Sequence, residues 1–162
     1  MSRPGLRPLG ALDLDEAAEL HGLAFRPLGE RAWTRQELAE LLASPGARGA
    51  LLEGDGGATG FALWRVILDE AELLTIAVHP NARRRGAGRA LLDAAIARSR
   101  EAGAGVLLLE VGEDNPAARG LYDSIGFSTV GRRAAYYQRK GNARADALVM
   151  RFVLASGIKP GG

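Results

Sequence analysis

The stretch from Leu73 to Arg89 constrains this chain more than any other. An apolar, strand-like run is stopped at His79-Pro80, and Arg83-Arg84-Arg85-Gly86-Ala87-Gly88 then leads straight into a helical pattern. A helix start carries backbone N–H groups with no intrahelical partner and the positive end of the helix dipole, so it favours an anion. Glycines let the backbone come close to a phosphate, and arginines add charge-assisted contacts. Gly-x-Gly alone also suits any tight strand-to-helix connection, so the wider context has to decide. The dinucleotide fingerprint needs a third glycine three residues after Gly88, where Leu91 stands, and the nucleotide P-loop needs Gly-Lys-Ser or Gly-Lys-Thr, which is absent. What remains is a pyrophosphate loop of another kind.

The flanking pattern places this loop in an α+β chain. Leu6 to Leu9 reads as a short strand, and Asp13 to Ala24 has helical spacing. Thr34 with Glu37 forms a capping box for a helix reaching about Ala43. Gly49 to Glu53 and Thr59 to Leu68 read as a hairpin across Gly54 to Gly57. Glu72 to Val78 is the next strand and Ala87 to Ala102 the next helix. Val106 to Val111 is apolar except for Glu110, the pattern of a central strand covered on both sides. Asn115-Pro116 opens a helix that Gly126 ends, and Phe127 to about Tyr137 and Ala145 to Leu154 are the last strands. No repeat or linker interrupts the series, so one domain over residues 1–155 is expected, with 156–162 a flexible tail.

With 162 residues, 47% of them hydrophobic and 25% charged, the composition is that of an ordinary globular domain. No apolar run nears the roughly 20 residues that cross a bilayer, and Met1 to Gly10 lacks a secretory h-region, so no membrane partner and a cytoplasmic location are expected. The chain has no cysteine, which excludes thiolate metal sites and a cysteine nucleophile, and His21 and His79 are far apart in sequence, so no metal is expected. The net charge of +2 conceals two basic clusters, Arg83-Arg84-Arg85 with Arg89, and Arg132-Arg133 with Arg139-Lys140. No interleaved aromatics or nucleic-acid module accompany them, so no direct nucleic-acid binding is expected.

Arg83-x-x-Gly86-x-Gly88 after the strand Leu73 to Val78 resembles the acetyl-CoA loop of the GCN5-related N-acetyltransferase (GNAT) superfamily. Leu109-Glu110-Val111, Asn115, Ala118, Leu121-Tyr122, Gly126-Phe127, Arg133, Tyr136-Tyr137 and Asp146-Ala147 extend the likeness to its ribosomal-protein-alanine (RimI-like) branch. It covers residues 70 to 154 well and the N-terminal part only by element order. The resemblance implies a mixed, mostly antiparallel sheet of six or seven strands flanked by about four helices. It also implies that the strands splay apart at Leu74 and Leu108 to admit acetyl-CoA as co-substrate. The pantetheine then pairs with Ile76, Ala77 and Val78, and the pyrophosphate rests on Arg83, Arg84, Arg85, Gly86, Ala87, Gly88 and Arg89.

Four further positions have two readings each. Asn115 is an N-cap, a cofactor contact, or both. Glu110 is either the solvent-reaching residue of an alternating strand or a carboxylate facing a wet cleft, where burial would lift its pKa toward base duty. The resemblance makes it the general base that strips the incoming ammonium through water. Tyr122 is a packing aromatic beside Phe127 or, by resemblance, the general acid that protonates the departing thiolate. Tyr136 and Tyr137, as strand neighbours, should face opposite sides, one to the core and one to an acceptor-binding cleft. The implied reaction is direct acetyl transfer to a primary amine, with a protein N-terminus, and the alanine of a ribosomal protein in particular, as first choice of acceptor. A small amine such as a polyamine, amino acid or aminoglycoside is the alternative acceptor, and a non-catalytic acyl-CoA sensor the alternative function.

Overall fold

The computed structural model describes residues 5–155, so the expected tail at 156–162 lies outside the described residues. Alternation of apolar side chains with period two sets the layers. In β2 (Ala47–Gly54) and β3 (Gly57–Ile67), Ala50, Leu52, Ala62 and Trp64 enter one core while Leu51, Phe61 and Leu63 enter a second on the opposite face. Among the described residues seven strands form one sheet in the order β1-β2-β3-β4-β5-β7-β6, with β1 at Gly5–Pro8, β4 at Glu70–Val78, β5 at Val106–Gly112, β6 at Ser128–Gln138 and β7 at Arg144–Val153. Neighbouring strands are antiparallel except β4 and β5, which are parallel and joined through a helical crossover.

Helices α1 (Leu14–Phe25) and α2 (Arg35–Ala43) bring Leu14, Ala17, Leu20 and Leu38 onto one face, and α3 (Ala87–Glu101) brings Leu91, Leu92, Ala95 and Ile96 onto the other. Helix α4 (Pro116–Ile125) adds Tyr122 on the α3 side. The expected caps are present. The Glu37 N–H donates to Thr34 Oγ1 at 3.1 Å and the Thr34 N–H to Glu37 Oε1 at 3.3 Å, while the Ala118 N–H donates to Asn115 Oδ1 at 3.3 Å. Gly126 ends α4 at φ 117°, a left-handed geometry suited to glycine.

β5 corrects one expectation. It is central within the sheet, but a core covers only one of its faces: Leu107, Leu109 and Val111 are buried with α3 and α4, while Leu108 and Glu110 on the other face are half-buried. The apolar run therefore marks an interior strand that has one open face, and Glu110 lies on that face.

The parallel pairing of β4 with β5 covers only Glu70–Val106, Ala71–Leu107 and Glu72–Leu108. Beyond those pairs each strand stays with its antiparallel partner, β4 with β3 and β5 with β7. The separation has a local cause. Leu63 pairs with Thr75 and Trp64 with Leu73, leaving Leu74 as an extra residue on β4. Such a bulge bends and twists its strand, and here it falls where contact with β5 is lost. The splay expected at Leu74 and Leu108 is thus a bulge on β4 beside a regular β5.

Helix α3 lies close on β3 because Gly60 has no side chain: a Cβ there would sit 2.9 Å from Leu91 Cδ1 and 2.9 Å from the Ala77 carbonyl oxygen. Gly60→Ala is expected to cost about 1–3 kcal/mol in urea unfolding, the usual range for overpacking. An unchanged unfolding midpoint would show that α3 is not held at this spacing.

Candidate active site

Where β4 and β5 part, a cavity of about 150 Å³ passes through the plane of the sheet. Leu73, Leu74, Thr75 and Ile76 of β4 line one side, and Glu110, Val111 and Gly112 of β5 the other. Tyr122 and Asn115 reach it from the α3/α4 face, while His21 and Trp33 reach it from the α1/α2 face. The gap therefore brings residues from both faces of the sheet to one space. A larger hollow of about 930 Å³ lies beside the start of α3 and the β2–β3 hairpin, but neither Glu110 nor Tyr122 lines it. Both candidate acid–base residues line the smaller cavity.

The start of α3 has the form expected of an anion site. Gly86 is its N-cap at φ 81° and offers no side-chain cap, so the first N–H groups of the helix remain for a ligand. Gly88 keeps the helix start close to its neighbours, since a Cβ there would lie 3.1 Å from Leu121 Cδ2 and 3.8 Å from Val78 Cγ2. Arg84 adopts φ 64°, a left-handed conformation that costs a non-glycine residue about 1–2 kcal/mol. Arg83, Arg84, Arg85 and Arg89 are all exposed, and Arg89 approaches Asp93 only at 3.9 Å. Ile76 lines the cavity, and Ala77 and Val78 continue the β4 edge that β5 leaves unpaired. These features fit the pantetheine and pyrophosphate of acetyl-CoA.

Glu110 faces the cavity with its side chain 26% exposed, and the Arg133 guanidinium stands 3.2 Å from Oε1. The carboxylate thus faces the cavity and is ion-paired. Tyr122 is 4% exposed and packs its ring on Phe127 at 5.6 Å between centroids, so it is a packing aromatic and a cavity residue at once. Burial pushes its phenol well above the ordinary tyrosine value, which keeps it protonated at neutral pH. Asn115 caps α4 and also lines the cavity.

The paired tyrosines depart from simple alternation. Arg133 pairs with Ala147 and Tyr137 with Ala145, so three β6 residues, Ala134 to Tyr136, lie opposite Asp146 alone. Asp146 holds this bulge by accepting the Ala135 N–H at 2.8 Å, with Ala135 at φ 51°. That bond, followed by the Arg132 guanidinium at 2.7 Å, holds the Asp146 carboxyl below its usual range. The bulge puts Tyr137 in the cavity wall and leaves Tyr136 48% exposed under Arg133, outside the lining and not in the core.

The second basic cluster is largely neutralised. Arg132 pairs with Glu113 and Asp146, and Arg133 with Glu110. Arg139, with its side chain only 8% exposed, joins Asp114 at 2.7 Å to Glu30 at 2.8 Å and lies over the Tyr137 ring. It ties the α1–α2 connection to the β5–α4 loop across the cavity mouth. Gly112 leaves room for this pair, because a Cβ there would sit 2.5 Å from an Arg139 nitrogen.

Sequence reasoning did not find the N-terminal contributors His21, Phe25, Glu30 and Trp33. Their separation in sequence from Glu110 hid them, and the helical apolar pattern around His21 gave only a packing signal. Burial lowers His21 to about 4, with Glu37 opposing and Arg31 and Arg26 adding to the shift. The unfolded chain, with an ordinary histidine near 6.5, then binds a proton that the fold excludes. The stabilisation is complete above pH 6.5 and is lost as the pH falls toward 4. Asp114 and Asp146 also have lowered values, but their contributions fade only below the ordinary carboxylate range. Urea unfolding at stepped pH should therefore show a loss on the order of 3 kcal/mol through the histidine window, and His21→Asn should flatten that part of the curve. An equally steep curve in the variant would remove His21 as its source.

The chain belongs to the acetyltransferase (GNAT) family, whose model matches residues 14–127. It is 42% identical over 99 residues to the [ribosomal protein bS18]-alanine N-acetyltransferase of Escherichia coli strain K12, a stretch covering 61% of this chain and 66%, just under two thirds, of that protein. It is 31% identical over 150 residues to a putative [ribosomal protein bS18]-alanine N-acetyltransferase of Bacillus subtilis strain 168, covering 92% of this chain and 95% of that one. The crystal structure of the ribosomal-protein-S18-alanine N-acetyltransferase from Escherichia coli superimposes with a TM-score of 0.87 at 31% identity, covering 97% of each chain.

Proposed function

We propose that this protein is an acetyl-CoA-dependent N-acetyltransferase acting on the N-terminal α-amine of a protein, with the N-terminal alanine of a ribosomal protein as its acceptor. The observation that carries the reading is the single cavity between the splayed strands, which Glu110 and Tyr122 share and which lies at the unpaired edge of β4. Arg83, Arg84, Arg85 and Arg89 with the N–H groups after Gly86 hold the pyrophosphate, and the β4 edge at Ile76, Ala77 and Val78 holds the pantetheine. Acetyl-CoA, when bound, supplies the acetyl group as a thioester.

Glu110 takes a proton from the acceptor ammonium through water, freeing the nitrogen lone pair to form the new C–N bond. Backbone N–H groups near Val78 stabilise the oxygen that becomes negative in the addition. As the C–S bond breaks, the Tyr122 hydroxyl, protonated at neutral pH, donates its proton to the departing sulfur, and the second proton that the nitrogen sheds on becoming an amide passes through water to restore the Tyr122 hydroxyl. No enzyme-bound acyl group is needed, in keeping with a chain that has no cysteine. An α-amine, with a pKa of about 8 against about 10.4 for lysine, is neutral near pH 7 a few hundred-fold more often, so a modest base suffices. The Escherichia coli and Bacillus subtilis relatives carry names that specify alanine on a ribosomal protein, and those names support the same acceptor here. A cytoplasmic location goes with such an acceptor, and no helix among the described residues is long and apolar enough to cross a membrane.

The test is to mix the purified protein with acetyl-CoA and Ala-initiated peptides, an N-terminally blocked lysine peptide and free polyamines, and to record product masses. One acetyl confined to free N-termini is expected. Acetylation of lysine or polyamines alone would overturn the acceptor. Glu110→Gln and Tyr122→Phe should each lower kcat at least about 100-fold, the lower bound for a general acid or base, with the KM for acetyl-CoA little changed. Wild-type turnover in both variants would reject the assigned roles.

A further inference from the structure

Half of the cavity wall has no part in the chemistry above. His21 is 2% exposed and lies between two rings, with Trp33 at 4.7 Å and 17° and Phe25 at 4.4 Å and 30°. Its Nδ1 accepts the Trp33 N–H at 3.1 Å, so a neutral ring carries its proton on Nε2. The Trp33 bond to Nδ1 is the ring's one hydrogen bond among the described residues, and His21 lines the cavity that holds Glu110 and Tyr122. A neutral His21 thus carries an N–H donor, with its ring plane held, on a residue of the cavity wall.

Chemistry limits what that donor can meet. It cannot hydrogen-bond an ammonium, which has only donors, and bonding a neutral amine would occupy the lone pair needed for attack. A donor at this place requires an oxygen on the acceptor close to its amine. In a polypeptide N-terminus that oxygen is the carbonyl of the first residue, three bonds from the amine. A polyamine has no such atom. The volume of about 150 Å³ also falls well below the roughly 300–1,000 Å³ that encloses a whole small ligand. It admits the end of an acceptor whose first side chain is small.

We propose that His21 is a specificity-determining residue that donates its Nε2–H to the carbonyl oxygen of the acceptor's first residue and so selects amines bearing an adjacent carbonyl. Phe25 and Trp33 fix the ring plane, and through it the direction of the bond. This rests on the N-terminal reading above and extends it to a recognition contact outside the acid–base pair. It also gives the N-terminal helix a direct place in substrate choice.

The test uses the full chain, an Ala-initiated peptide, and the same peptide with an (E)-alkene replacing its first amide. Wild type should prefer the amide about 5- to 10-fold in kcat/KM, the size expected of one neutral hydrogen bond. His21→Asn places an amide oxygen where Nδ1 receives the Trp33 N–H but has no group at Nε2. It should abolish the preference by raising the peptide KM, with the KM for acetyl-CoA unchanged. His21→Gln, whose amide nitrogen reaches the Nε2 position, should restore it. If wild type acetylates both acceptors equally, the proposal fails whatever the variants do. If His21→Asn weakens both acceptors alike, or if only His21→Gln is impaired, His21 acts on the acetyl group or supports Trp33, and the proposal is overturned. If wild type modifies no peptide N-terminus, the N-terminal reading itself fails.

Discussion

The loss of pairing between β4 and β5 after Glu72 and Leu108 is the constraint on which the site depends. In a parallel pair of ordinary length, backbone groups along both strands would satisfy one another, leaving neither a free edge nor a passage between the faces. The extra residue Leu74 on β4 prevents this, bending the strand while its other side stays bonded to β3. β5 remains straight beside β7 from Val106 to Gly112, so the two strands diverge and do not close up again. The β4 edge beyond Glu72 is thereby left without a strand partner on the β5 side.

Charge is distributed so that the two basic clusters do different work. The arginines before and within the start of α3 are exposed, and their only ion pair among the described residues is the long contact from Arg89 to Asp93, which leaves them available to an anion. Those of β6 are used within the fold. Arg132 and Asp146 brace the bulge that aims Tyr137, Arg133 stands by Glu110, and Arg139 joins Glu30 to Asp114 across the cavity mouth. Removing one member of such a partly buried group leaves its partners unsatisfied, so these contacts protect the shape of this side of the cavity more than they add net stability.

Much of the fold was legible in local patterns. The capping box at Thr34 and Glu37, the Asn115-Pro116 start, the glycine stops and the strand alternation each act within a few residues, where spacing alone carries the information. The helix start after Gly86, with no side-chain cap, was readable for the same reason. Less legible were features that depend on register between distant strands. Val106 to Val111 looked doubly covered because leucines occupy both of its faces, yet Leu108 and Glu110 look onto the open side. The order Tyr136-Tyr137 suggested alternation, but three residues opposite Asp146 break it. Whether one more residue fits into a strand is settled by the partner strand and by a carboxylate such as Asp146.

By itself the sequence determined the series of elements, the arginine-flanked helix start at Gly86 and the chemical types available for acid–base work, since each rests on backbone propensities and side-chain chemistry within short windows. Tertiary structure alone decided that Glu110 and Tyr122, from opposite sides of the sheet, meet in one cavity, and that His21, Trp33 and Glu30 from the N-terminal half complete its wall. The reason is geometric: a bulge at Leu74 opens a gap through the sheet, and only that gap brings residues about ninety positions apart, such as His21 and Glu110, to the same space.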